Sequence, residues 1–325
     1  MPERAIRVIN CIMNLSSNNA DLIYRSEYFT ERMPQSLLNS YHRIEPVNDQ
    51  VNADARLYII DNPDLPPLVS VVEDDALAQG DFTRLENESK DRRYAILGSQ
   101  GLLYRYILAA LERHHGILSL HSCSLYDAQK NVITIIMGSG GSGNTTFLLS
   151  GITKGYKVFS TDVTHCQVSG GHTVFYKGGL LVNINLGSLL YDFPSINEQL
   201  CLQCHQISDP WQVKVSVDLG RYQAATDQLI NPEIRILVPR GESRHPDVTI
   251  RHMRERGDLS RFLFENASEK IAGSFVLYGV LPVCGLDTPS LARRRFAAVQ
   301  RLIDIAELEH ASVVVASPQT CAGVL

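Results

Sequence analysis

The run VITIIM at residues 132–137 leads directly into GSGGSGNTT at residues 138–146. A short, isoleucine-rich apolar run of this kind predicts a strand buried on both faces. The four glycines that follow predict a tight turn, and the hydroxyl pair Thr145-Thr146 opens a predicted helix from Thr145. Strand, glycine-rich turn and helix make the setting of a P-loop, whose backbone N–H groups and helix N-terminus wrap a phosphate chain. The pattern G-x-x-x-x-G-K-[ST] is met at Gly138, Gly143 and Thr145, but Asn144 stands where lysine is expected. The candidate nucleotide-binding residues are therefore Gly138, Ser139, Gly140, Gly141, Ser142, Gly143, Asn144, Thr145 and Thr146. A strand-to-helix turn that never meets a nucleotide is the plainer alternative. Four glycines, a hydroxyl pair and the flanking elements together favour the phosphate site. Lysine at this point supplies positive charge to the β- and γ-phosphates, whereas an amide supplies only neutral hydrogen bonds. Phosphate binding is compatible with Asn144; fast phosphoryl transfer lacks the charge that the lysine would supply.

Outward from this motif, buried runs alternate with helical periodicity. Strands are predicted at Ile117–Leu125, Lys157–Ser160, Leu180–Ile184, Val213–Val217, Ile234–Val238 and Ser312–Ala316, and a helix over Ser290–Glu309. Several connections are too short for a crossover helix, so an α/β fold with a mixed sheet is expected. Before it, short extended runs at Ala5–Ile12, Arg56–Asp61 and Leu68–Glu73 predict a small β-rich N-terminal domain. The polar stretch Gln79–Arg93 reads as a surface excursion, and Ser99–His114 as an amphipathic helix. The expected division is residues 1–98 for the β-rich domain and 99–325 for the P-loop α/β domain.

Composition narrows the function classes. The 325 residues carry a net charge of −5, and no basic run is longer than Arg293-Arg294-Arg295, so neither nucleic acid nor an anionic membrane is an expected partner. No apolar run is long enough to span a bilayer and the first residues lack a signal-peptide core, which makes the cytoplasm the expected compartment. Seven cysteines argue for buried thiols rather than a disulfide framework. A homo-oligomer is left open.

Three segments carry a family resemblance: Leu118–Leu125 with His121, Ile133–Thr146, and Gly155–Val163 with Asp162. Together they resemble the catalytic domain of the HPr kinase/phosphorylase family, including its smaller relatives found with peptide biosynthesis clusters. The resemblance covers roughly residues 116–190. It implies a kinase fold, ATP or another nucleoside triphosphate, and Mg²⁺. It also implies a histidine near the transferred phosphate at His121, a metal-binding hydroxyl at Thr145, and at Asp162 the second aspartate of an Asp-Asp pair. The first aspartate, the family's base on the acceptor hydroxyl, is Thr161 here. A threonine hydroxyl has no useful basicity near neutral pH. His121 and Asp162 are thus the candidate catalytic residues, with Thr145 and Asp162 as candidate metal ligands. The implied activity is phosphoryl transfer to a hydroxyl of a peptide or small molecule; the alternative is a pseudokinase that binds nucleotide, or a phosphorylated partner, without efficient turnover.

Each residue has an ordinary reading as well: His121 as a core histidine, Asp162 as a turn cap, Lys154 and Lys157 as solvated charges. Cys201-Leu-Gln-Cys204-His205 matches a haem-attachment pattern only weakly; a zinc site with His165, Cys166 or His172 is the next reading, and packed thiols are the simplest. Arg240, Arg244 and the Arg293–Arg295 run are the candidates for a substitute cation, against a solvated basic face. The motif predicts that nucleotide binds at Gly138–Thr146 and needs Mg²⁺ for full affinity. Calorimetry with ATP, ADP and GTP, with and without Mg²⁺, is the check; no binding at millimolar nucleotide would remove the assignment.

Overall fold

The computed structural model describes residues 1–48, 52–138, 140–200, 208–242, 248–314 and 317–325. They gather into two compact units. The first comprises Met1–Ser119, His165–Ser169 and Phe264–Ala298; the second comprises Leu120–Thr164, Gly170–Leu263 and Val299–Leu325.

The first unit holds a six-stranded sheet in the order Glu45–Val47, Glu3–Val8, Cys11–Ser17, Ala55–Asp61, Asp75–Gly80, Leu68–Val72. It is mixed. Cys11–Ser17, Ala55–Asp61 and Asp75–Gly80 run parallel, and the outer strands pair antiparallel. The single run expected at Ala5–Ile12 is in fact a hairpin, because the chain reverses at Ile9, whose φ is +55°. The surface excursion expected over Gln79–Arg93 is also corrected. It contains the helix Phe82–Glu88, which buries Phe82, Leu85 and Glu86. The Glu86 carboxylate accepts hydrogen bonds from the Tyr28 hydroxyl at 2.6 Å and the Tyr278 hydroxyl at 2.8 Å, so its polarity is satisfied inside the unit. The predicted helix is found as Leu102–His115 and is buried round most of its circumference, wider than the single face its periodicity suggests.

The second unit is built on another mixed sheet, ordered Lys157–Ser160, Cys123–Asp127, Val132–Ile136, Glu233–Glu242, Glu307–Val314, Thr249–His252. Val132–Ile136 is parallel to Glu233–Glu242 on one side and antiparallel to Cys123–Asp127 on the other. The α/β character with mixed sheets therefore agrees with the expectation. Helix Asn144–Thr153 buries Phe147, Leu148, Leu149 and Ile152 in a core shared with Leu125, Val158, Leu237 and Cys321. Two boundaries move. The run expected at Ile117–Leu125 breaks at Ser122 into Ile117–His121 and Cys123–Asp127, and the last helix stops at Ile305 so that the strand begins at Glu307. Among the described residues no helix is long and apolar enough to cross a membrane.

Of the three consecutive arginines, Arg295 is fully buried in the first unit, while Arg293 and Arg294 are exposed. Its guanidinium donates to Glu112 at 2.9 Å, Asp287 at 2.7 and 3.1 Å, and Ser268 at 3.0 Å. Neither a solvated face nor a spare cation describes it. Burial pushes the Glu112 carboxyl up, to about 7, and the guanidinium pulls against that shift. Removing one partner from a buried ion network typically costs about 3–5 kcal/mol, because a buried charge is left uncompensated. Arg295→Ala is therefore expected to lower the unfolding free energy measured by urea titration by an amount in that range, while exposed Arg293→Ala should change it by no more than about 0.5 kcal/mol.

Candidate active site

Sheet register brings the separate motif segments to one edge. Cys123 pairs with Ile136, one residue before the glycine-rich turn begins to leave the strand, and Ser124 pairs with Ser160, just before Thr161 and Asp162. Antiparallel pairing thus sets the turn after Met137 and the residues Thr161 and Asp162 at the same end of three neighbouring strands, and His121, the last residue of the separate strand Ile117–His121, lies two positions before Cys123 at that end. Val132–Ile136 reaches that edge with its carboxyl end, the end of a strand outside which ligands bind in α/β sheets.

The turn itself is closed by side chains. The Asn144 amide Nδ2 donates to the Gly138 carbonyl at 3.0 Å, and its Oδ1 accepts from the Ser142 hydroxyl at 3.0 Å. A Cβ at Gly138 would lie 2.2 Å from Ser142 Oγ and 2.8 Å from Asn144 Oδ1, so the inward fold of these two side chains requires glycine there. Gly143, at φ +105°, occupies the left-handed region and precedes a helix whose N-terminus has no side-chain cap. Its first N–H groups are directed at whatever lies beyond the turn. Asn144, Thr145 and Thr146 are half-buried, Gly140 and Gly141 exposed; Ser139 lies outside the described residues.

His121 Nε2 stands 3.4 Å from Asp162 Oδ1, with both side chains one-third exposed. The next residue, Ser122, donates its N–H to the Asp162 carbonyl at 3.0 Å, and Cys123 Sγ contacts the Asn144 carbonyl at 3.6 Å. Burial, together with the nearby Asp162 carboxylate, pushes the Cys123 thiol up to about 12, so it remains a protonated donor. Three consecutive residues therefore tie the Asp162 turn to the N-terminus of helix Asn144–Thr153.

Thr161 has a different occupation. Its N–H donates to Gly179 O at 3.0 Å, and its hydroxyl lies 3.0 Å from Gly179 O and 2.7 Å from Leu181 O. A carboxylate in that position would face two carbonyl oxygens. Beneath the site runs a chain of buried hydroxyls that the sequence reading missed: Ser122 to Thr164 at 2.8 Å, Thr164 to Ser160 at 2.7 Å, Ser160 to Ser124 at 2.7 Å. The period-two spacing of Ser122 and Ser124 is the sequence signal for it.

The remaining candidates do not join this cluster. Cys201, Cys204, His205 and Arg244 lie outside the described residues. His165 is fully buried in the first unit, with Nδ1 2.9 Å from Ser119 Oγ and its ring stacked on Tyr41, and burial lowers it to about 4. Cys166 is buried, whereas His172, Arg240, Lys154 and Lys157 are exposed.

No family model matches this chain, and no curated protein matches it. Among solved structures, the Hpr(Ser) kinase/phosphatase from Coxiella burnetii is similar over 56% of this chain and 93% of that one, at 12% identity and a TM-score of 0.23. Likeness at that score establishes neither a shared fold nor a shared activity.

Asn144→Ala would remove both hydrogen bonds that span the turn. The expected cost is about 1–2 kcal/mol of stability, at roughly 1 kcal/mol per part-buried bond, accompanied by faster amide exchange at Gly143–Thr146. Urea unfolding and exchange mass spectrometry measure the two effects.

Proposed function

We propose that the second unit is an ATP- and Mg²⁺-dependent phosphotransferase of the kinase class, transferring a phosphoryl group to a hydroxyl of a peptide or small molecule. The observation that carries this reading is the convergence at one sheet edge of the turn 138–146, an uncapped helix N-terminus and the His121–Asp162 pair, joined through Ser122 and Cys123. A Cβ at Gly140 or Gly141 would meet nothing within 4 Å, so the rim of the turn offers open space of the sort a phosphate chain needs. The sequence resemblance to the HPr kinase/phosphorylase family adds support.

On this reading the N–H groups at the start of helix Asn144–Thr153 bind the phosphate oxygens, and Thr145 and Asp162 would hold the magnesium ion. When bound, that ion neutralises charge on the transferring group. His121 orients Asp162, and one of the two takes the proton from the acceptor hydroxyl. A loose transition state asks little of that base, so positioning outweighs proton transfer. The Asn144 amide gives the phosphates no positive charge.

A specific observation favours a second reading, a nucleotide-binding pseudokinase. The amide of Asn144 and the hydroxyl of Thr161 are both engaged within the protein, at the two positions where the family carries charge. Transfer of labelled phosphate from ATP to candidate hydroxyl acceptors, followed across variants, separates the two. Asn144→Lys should raise the rate at least tenfold by adding charge that the transition state needs. His121→Ala should lower rate with nucleotide affinity nearly unchanged, and Asp162→Asn should weaken both rate and Mg²⁺-dependent affinity. Tight nucleotide binding with no turnover in wild type and in Asn144→Lys would establish the second reading. Full activity in both His121→Ala and Asp162→Asn would overturn the residue assignments.

A further inference from the structure

Three residues of the first unit, far apart in sequence, bring donor atoms together: Cys11 Sγ, a carboxylate oxygen of Asp54 and a ring nitrogen of His115 all lie within 4.8 Å of one another. Each comes from a firmly held place. Cys11 opens the strand Cys11–Ser17 just after the hairpin reversal at Ile9, and is fully buried. Asp54 leads into the parallel neighbour Ala55–Asp61 and is clamped to Ile12 twice: its N–H donates to Ile12 O at 2.8 Å, and its Oδ2 accepts from Ile12 N–H at 2.7 Å. His115 ends the helix Leu102–His115, where Gly116 at φ +63° turns the chain away, and its carbonyl accepts from Gln167 Nε2 at 2.7 Å. His115 Nε2 stands 3.2 Å from Asp54 Oδ2.

We propose that Cys11, Asp54 and His115 form a binding site for one divalent transition-metal ion of the zinc class. Two nitrogen or oxygen donors on one tetrahedral zinc stand roughly 3.3 Å apart, and a sulfur donor somewhat farther, as bond lengths of about 2.0–2.3 Å require. The His115–Asp54 separation already has that value. The limit of 4.8 Å on the others asks for a closure of about 1.5 Å at most, within the reach of side-chain rotation. The donor set selects the metal. A thiolate and an imidazole suit zinc or cobalt and are poor ligands for magnesium or calcium, which take oxygen. Thiolate, carboxylate and neutral imidazole around a dication give no net charge, which suits a site whose cysteine is fully buried. The Asp54 and His115 side chains are each about one-quarter exposed, so the ion has a path from solvent and a water can complete the coordination as a fourth ligand.

Two simpler accounts explain less. A plain ion pair between His115 and Asp54 leaves Cys11 in the same small sphere without a reason. A Cys-His-Asp nucleophile would need a thiol that substrate can reach, and Cys11 is completely covered. The site is independent of the kinase reading, since none of its residues belongs to the turn 138–146 or its partners.

The test uses the full chain carrying Cys201→Ser and Cys204→Ser, so that the second cysteine-histidine motif cannot contribute, with metal first removed by a chelator. Cobalt(II) titration is expected to end at one ion per chain with a thiolate-to-cobalt band in the near ultraviolet, zinc should displace it, and magnesium should not. Zinc should also raise the melting temperature. Cys11→Ser should abolish the thiolate band, and His115→Ala and Asp54→Asn should each weaken zinc binding at least tenfold. Should Cys11→Ser not fold, judged by circular dichroism, the two part-exposed positions decide. Absence of stoichiometric cobalt or zinc binding by the parent chain would overturn the proposal, as would unchanged zinc affinity in both His115→Ala and Asp54→Asn.

Discussion

The pairing of Cys123 with Ile136 and of Ser124 with Ser160 is the constraint on which the candidate site depends. Side chains alternate along a strand, so a slip of one residue in either pair would send every side chain to the opposite face. In the observed register, His121 and Asp162 meet at 3.4 Å, Ser122 closes the turn that carries Asp162, and Cys123 reaches the first residue of the helix after the glycine-rich turn. Leu125, Ile133, Ile135, Ile136 and Val158 hold that register by burial. The serines of these segments bond to one another and to Thr164.

That chain of hydroxyls carries a general cost. A buried hydroxyl without a partner loses its hydration, and four placed side by side are tolerable only when each finds a neighbour. Ser122, Thr164, Ser160 and Ser124 do, at 2.7–2.8 Å. The same economy appears at Asn144 and Thr161. Both are neutral where the family they resemble carries charge, and both spend their hydrogen bonds inside the protein: Asn144 on the Gly138 carbonyl and the Ser142 hydroxyl, Thr161 on the Gly179 and Leu181 carbonyls. Internal hydrogen bonds keep the turn shaped.

The first unit handles polarity in the opposite manner, by concentrating charge and compensating it. Arg295 is enclosed by Glu112, Asp287 and Ser268, and Glu86 by two tyrosine hydroxyls. Cys11, Asp54 and His115 form a third cluster there, with the two strand residues held in parallel register by Met13 and Ala55. Enclosed charge of this kind is held by geometry, because each oxygen or nitrogen left unpaired would be penalised.

The residues alone determined what depends on near neighbours. The apolar run at 132–136, the glycines after it and the helix after Gly143 follow from spacing and backbone freedom over a few positions, and the helix ending at His115 follows from its 3.6-residue repeat. Candidate site residues on those elements could be named for the same reason. Interactions across long loops could not be read in this way. That Phe82–Glu88 turns inward, that Arg295 is enclosed while Arg293 is exposed, and that Thr161 bonds to the backbone near residue 180 all depend on segments tens of positions away or more. Segments as distant as 165–169 and 264–298 join the first unit only through such contacts. Closing those loops has an entropic cost that grows only slowly with length, so sequence distance says little about which segments meet; burial and hydrogen-bond satisfaction in the folded chain made the choice.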